Sequence, residues 1–185
     1  MSRLRIFPDA DGTHALAEHH DGEAIAAVLG EVGIRFERWP THDDVCAGAT
    51  QDAVLERYAD EVSRILQEGG YQSCDVVSMT PDHPGAQEAR GKFLAEHTHQ
   101  EDEVRFFVDG AGLFTLHLGE NVYEVLCERG DFLRVPANTK HWFDMGPAPH
   151  FLAIRIFSNP EGWAANFTGS PIAEQFPRFE PSPCV

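Results

Sequence analysis

The chain has 185 residues and a mass of 20.6 kDa, with 14 Lys and Arg against 30 Asp and Glu, a formal charge of −16. A chain of this size buries on the order of 70 per cent of its unfolded surface, so it folds as one domain without needing a disulfide. The acidity argues against nucleic acid or an anionic membrane as partner, since both require a basic face.

Read in order, the opening MSRLRIFPDADG lacks the apolar run of a secretory signal. No stretch of about 18 uncharged apolar residues follows that would span a membrane. Cys46, Cys74, Cys127 and Cys184 are scattered without a CxxC pair, which implies free thiols and a cytoplasmic protein. From Asp21, Ile25, Val28, Leu29 and Val32 follow helical spacing, with Gly33 as the stop. A second helix is expected from Thr50, presenting Val54, Leu55, Tyr58, Val62, Ile65 and Leu66 on one face until Gly69-Gly70. Residues 74–79 (CDVVSM) read as a strand, and Asp82 and Pro84 are expected to cap and open a short helix.

Beyond Gly91 the apolar period changes from 3.6 to 2. EVRFFV (103–108), LFTLHL (113–118), NVYEVL (121–126), DFLRV (131–135) and HFLAIRIF (150–157) are strand-like runs punctuated by glycine turns. Short strands so spaced predict an antiparallel sandwich or barrel. From Asn159, five prolines and the aromatics Trp163, Phe167, Phe176 and Phe179 predict an irregular strap over the strands.

The chemistry gathers at His97, His99 and Glu103. The histidines are two positions apart and the glutamate four further on, so an extended strand turns both imidazoles to one face, and Glu103 with them if the strand continues. Two imidazoles and a carboxylate so placed form the set that holds non-haem Fe(II) with open positions.

Residues 91–110, GKFLAEHTHQEDEVRFFVDG, match G-x5-H-x-H-x3-E-x6-G, and residues 130–145, GDFLRVPANTKHWFDM, match G-x5-P-x-G-x2-H-x3-N apart from Asn138 and Met145. The pair resembles the two signatures of the cupin superfamily. Asn138 tolerates the left-handed turn that a glycine would take, and Met145 stands at a position that binds no metal. EHTHQEDEVRFFVDG, PANTKHWFD and the upstream IRFERWP (34–40) further resemble the acireductone dioxygenase family.

That resemblance implies a mainly β fold with a helical N-terminal half and a cupin-type antiparallel double-stranded β-barrel, or jelly roll. One cupin domain is expected over 1–185, with a helical part over about 1–94, the barrel core over 95–158 and the strap over 159–185. It implies one Fe(II) or Ni(II) per chain on His97, His99, Glu103 and His141, since imidazole suits both metals. The substrates implied are O2 and the acireductone 1,2-dihydroxy-3-keto-5-methylthiopentene of methionine salvage. With Fe(II) the family forms 2-keto-4-methylthiobutyrate and formate; with Ni(II) it forms methylthiopropionate, formate and CO.

Around the metal, Asp102 is a candidate to take a proton or orient a ligand. Arg105 and Arg155 are placed in the pocket against an enediolate, or else on an alternating strand surface. Phe106, Phe143 and Trp163 form either an apolar box for the methylthio group or ordinary core. His117, off both signatures, is expected to be structural. Another cupin oxygenase or isomerase, or a non-catalytic metal- or ligand-binding cupin, is the alternative. A monomer is expected.

Overall fold

The structure, a computed structural model, describes residues 1–159 and 163–180. The part of the expected strap over 160–162 and 181–185, including Cys184, lies outside the described residues.

The first half alternates strands with helices. Strand β1 (Arg3–Pro8) pairs with β2 (Ala17–His19). Helix α1 (Gly22–Glu31) starts where the Asp21 side chain accepts from the Glu23 and Ala24 amides, and it ends at Val32 with Gly33 at φ 80°. Strand β3 (Arg35–Arg38) follows, then α2 (Gln51–Arg57) and α3 (Ala59–Gln67). The spacing predicted these two as one helix. Tyr58 interrupts it at φ −109°, ψ 24°, with its buried hydroxyl accepting from the His42 amide at 3.0 Å. Strand β4 (Ser73–Met79) lies where CDVVSM placed it. Helix α4 (Ala86–Phe93) begins after Gly85, later than expected, because Asp82 accepts from Thr80 Oγ1 at 2.7 Å and caps nothing.

The second half is β5 (His97–Thr98), β6 (Glu103–Leu118), β7 (Asn121–Glu128), β8 (Asp131–Val135), β9 (Lys140–Asp144), β10 (Phe151–Phe157) and β11 (Asn166–Phe167), then a 3-10 turn at Ile172–Gln175. Strand β6 is the hub. Its first part pairs with β8 and β10, and from Ala111 onward it pairs with β7, while β9 joins from Leu113. Gly110, at φ 69°, marks the change of partners. A Cβ there would overlap the His150 carbonyl, so only glycine lets β10 approach.

Two antiparallel layers therefore share one strand. One runs β4-β10-β6-β8-β3, and the other β11-β5-β9-β6-β7-β1-β2. This corrects the expected fold class: the sheet is open, not a closed barrel or jelly roll, and the architecture is mixed α/β. β4 and β3 end one layer and β11 and β2 end the other, each with a single partner. The two-residue β11 and three-residue β2 leave little unpaired backbone at their edges. Three of the strands that extend the sheet, β1, β2 and β3, arise in the half expected to be helical.

Alternation along β6 divides the core. Val104, Phe106 and Val108 face α2 and α3, packing with Trp39, Val54, Tyr58 and Ile65. Phe107, Phe114 and Leu116 face the other way, with Leu4, Ile25, Leu29 and Phe143. Burying each such side chain stabilises the fold by about 1.5–3 kcal/mol. Glu103 and Arg105 share the parity of Phe107 and open the inner face into a cavity.

Candidate metal centre

Pairing brings the histidines together. His97 of β5 stands in register with His141 of β9, and His99 follows two residues later. Ring centroids lie 4.5 Å apart for His97–His141, 5.0 Å for His97–His99 and 5.1 Å for His99–His141. One nitrogen of each falls within 4.8 Å of the others, and all three residues are buried. The turn that delivers His141 uses Asn138 at φ 61°, where its amide donates to the His99 carbonyl at 2.7 Å. The left-handed asparagine thus ties both halves of the site together.

Each Nδ1 lies 2.8 Å from a backbone carbonyl: His97 to Ala95, His99 to Ala164, His141 to Thr139. A ring that donates through Nδ1 has a bare lone pair on Nε2. For His99 and His141 that Nε2 faces Glu103 Oε2, at 3.2 and 2.9 Å. A nitrogen that close to a buried carboxylate oxygen needs a positive charge between them, its own proton in the metal-free site or a metal ion in its place. The donor set therefore fits a divalent metal ion on three imidazole nitrogens and one carboxylate oxygen.

Burial and hydrogen bonding act differently on the three groups, and a metal ion on His99 would displace the proton that Glu103 otherwise favours there. Burial, with His141 beside it, pushes the His97 imidazole down to about 4, so it is neutral and able to ligate at neutral pH. Burial also disfavours charge on His99, but hydrogen bonding to Glu103 outweighs it and raises the pKa. Burial alone would raise Glu103, yet Arg105 and the hydrogen bonds from His141 and His99 hold it well below the usual carboxylate range. Arg105 Nε donates to Glu103 Oε1 at 2.8 Å, leaving Oε2 for the site.

The cavity over these groups measures about 420 Å³. Arg105 and Arg155 stand side by side across β6 and β10, and Asp75 faces Arg155 from β4. Asp75 Oδ1 accepts from Arg155 Nε at 2.7 Å, while Oδ2 accepts from its terminal nitrogen at 2.5 Å. Phe143 and Trp163 line the wall, and both lie near the Arg105 guanidinium, at 4.7 and 5.7 Å from ring centroid to Cζ.

Two expectations need correction. Phe106 is not in this wall. It is three residues from Glu103, an odd spacing that turns it to the opposite face, 4.8 Å from Trp39 and 5.3 Å from Tyr58 between ring centroids. Asp102 is likewise turned away: its carboxylate accepts from Arg134 Nε at 2.7 Å and the Ala137 amide at 3.0 Å, and it lines a different cavity. Its backbone carbonyl accepts from Trp163 Nε1 at 2.9 Å, so it supports the site from behind.

Sequence reasoning missed Asp75, Phe93 and Phe157 in the cavity wall. The signal for Asp75 was an acid among apolar residues of a predicted strand. His117 binds Glu96, not the site. A larger groove of about 900 Å³ lies between α1, β3 and α3, but among the described residues the His97, His99 and His141 cluster is the one with metal-ligand spacing.

Residues 3–165 match the ARD/ARD' family. The chain is similar to acireductone dioxygenase of Cronobacter sakazakii, 57% identical over 178 residues that cover 96% of this chain and 99% of that protein. It is 52% identical to acireductone dioxygenase 2 of Pectobacterium atrosepticum over 180 residues, covering 97% and 99%. Among solved structures, acireductone dioxygenase from Bacillus anthracis with a cadmium ion in its active centre superposes with a TM-score of 0.77 at 27% identity, covering 90% of this chain and 98% of that one.

Proposed function

The chain belongs to the acireductone dioxygenase family, and from that membership and the donor geometry we propose that His97, His99, Glu103 and His141 hold one Fe(II) or Ni(II) ion. Its activity is the dioxygenase reaction on an acireductone in methionine salvage. The observation that carries the ligand assignment is the trio of carbonyl-bound Nδ1 atoms, which turn the opposite ring nitrogens toward one cavity. Bound there, a divalent ion supplies Lewis acidity and a template on which substrate oxygens and O2 meet.

The chain's own residues do the rest. Two adjacent guanidinium groups, Arg105 and Arg155, favour the anionic enediolate over the neutral enediol and fix its orientation. Arg105 is committed to Glu103, so it holds the ligand carboxylate as well as adding positive potential. Arg155 is braced by Asp75 from the opposite side. Phe143 and Trp163 give the methylthio end an apolar wall and keep water from the reacting carbons. Asp102 takes no part in proton transfer on this reading, because its carboxylate lies behind the cavity. Iron would direct cleavage to 2-keto-4-methylthiobutyrate and formate, nickel to methylthiopropionate, formate and CO.

The test is metal-reconstituted protein supplied with freshly generated acireductone, with and without O2. Formate release that stops without O2 supports the reading; turnover that continues anaerobically identifies an isomerase and overturns it.

A further inference from the structure

The three imidazoles are not held alike. Ala95 and Thr139, whose carbonyls fix His97 and His141, each lie two residues before the histidine they hold. His99 depends instead on Ala164, 65 residues away, so its orientation is only as secure as the seating of the 163–168 segment.

That segment is lightly anchored by its backbone. Asn166 and Phe167 pair with Thr98 and His97 at the sheet edge, and Phe167 is 58% exposed. Trp163 holds its start, through the Asp102 carbonyl and packing on Phe157, and its far end is held by Glu96, the residue before β5, which is 1% exposed. Its Oε1 accepts from His117 Nδ1 at 2.6 Å and its Oε2 from Thr168 Oγ1 at 2.6 Å, while its carbonyl accepts from the Thr168 amide at 3.1 Å. A carboxylate in so dry a place makes strong, short bonds, and losing one partner leaves a costly unsatisfied oxygen.

We infer that Glu96, clamped between His117 and Thr168, is a positioning residue that seats the 163–168 segment and thereby aims His99 at the metal. The inference rests on the metal assignment above. It gives His117 a part in the site that it never touches, and it makes Thr168, an exposed residue, matter to metal retention.

Thr168→Val keeps the shape and removes the donor, and Thr168→Ser restores the hydroxyl. The full chain would be loaded with Co(II), and the rate of Co(II) loss to a chelator, the visible Co(II) spectrum and thermal unfolding compared. The expected result is about tenfold faster loss with an altered spectrum for T168V, the range typical of supporting partners, with wild-type behaviour in T168S. A T168V protein with unchanged Co(II) loss and spectrum overturns the inference and leaves the metal assignment standing, whether or not its melting temperature falls. Wild-type chain that takes up no Co(II) overturns both.

Discussion

His97, His99 and His141 work as a set because carbonyls hold one nitrogen of each ring. His141→Ala is expected to abolish both metal retention and turnover, as metal analysis and an O2-uptake assay would show. Asp75→Asn takes one charge from the pair that braces Arg155, whose side chain is partly exposed. The expected outcome in steady-state kinetics is a roughly tenfold rise in KM with kcat little changed, as for lost uniform binding. Phe106→Ala tests the opposite assignment. A fully buried core aromatic should cost about 3–5 kcal/mol of stability in denaturant unfolding, while the protein that remains folded binds metal normally. A raised KM without lost stability would return Phe106 to the pocket.

At the scale of elements, caps and bends decide where the ligands stand. Asp21 caps α1 through two backbone amides, so Asp21→Ala is expected to lower stability by about 1 kcal/mol in thermal unfolding. Asp144, at the end of β9, ties α4 and the C-terminal segment together by accepting from Arg90 and from the amides of Gly146 and Phe179. Burial would raise its pKa, but those donors outweigh burial and depress it below the ordinary 3.8. A depressed carboxylate stabilises fully above its unfolded value, and that contribution is lost as pH falls through the lower folded value. Wild type should therefore lose stability on acidification below about pH 4, and Asp144→Asn should be less stable at pH 7 with a flatter acid limb in melts across pH.

For the whole molecule, two apolar clusters on opposite faces of β6 carry the fold without help from the site. Chelation is expected to lower the melting temperature through lost binding energy, by about 2.7 kcal/mol where metal stood at a hundred times its Kd, with the far-UV spectrum preserved. Unfolding on chelation would show instead that the metal holds the layers together.

The start and stop of α1 and the strands after Gly91 were legible in the chain, because each depends on neighbours within a few residues. Glu103, by contrast, does not continue the strand of His97: β5 stops at Thr98, Glu103 opens β6, and pairing of β5 and β6 with β9 brings these residues to His141. Strand alternation, applied strictly from Glu103, would have turned Phe106 away from the pocket. What the linear chain withheld depends on distant partners. Strand β3 is an arginine-rich segment that becomes a strand by pairing with β8, and the split at Tyr58 serves a ring packed against Phe106. Asp75 faces Arg155 only through the register of β4 and β10, and Ala164 reaches His99 only once the chain end has docked. The same long-range pairing left the sheet open: closure is a property of which edges meet, and no local pattern encodes that.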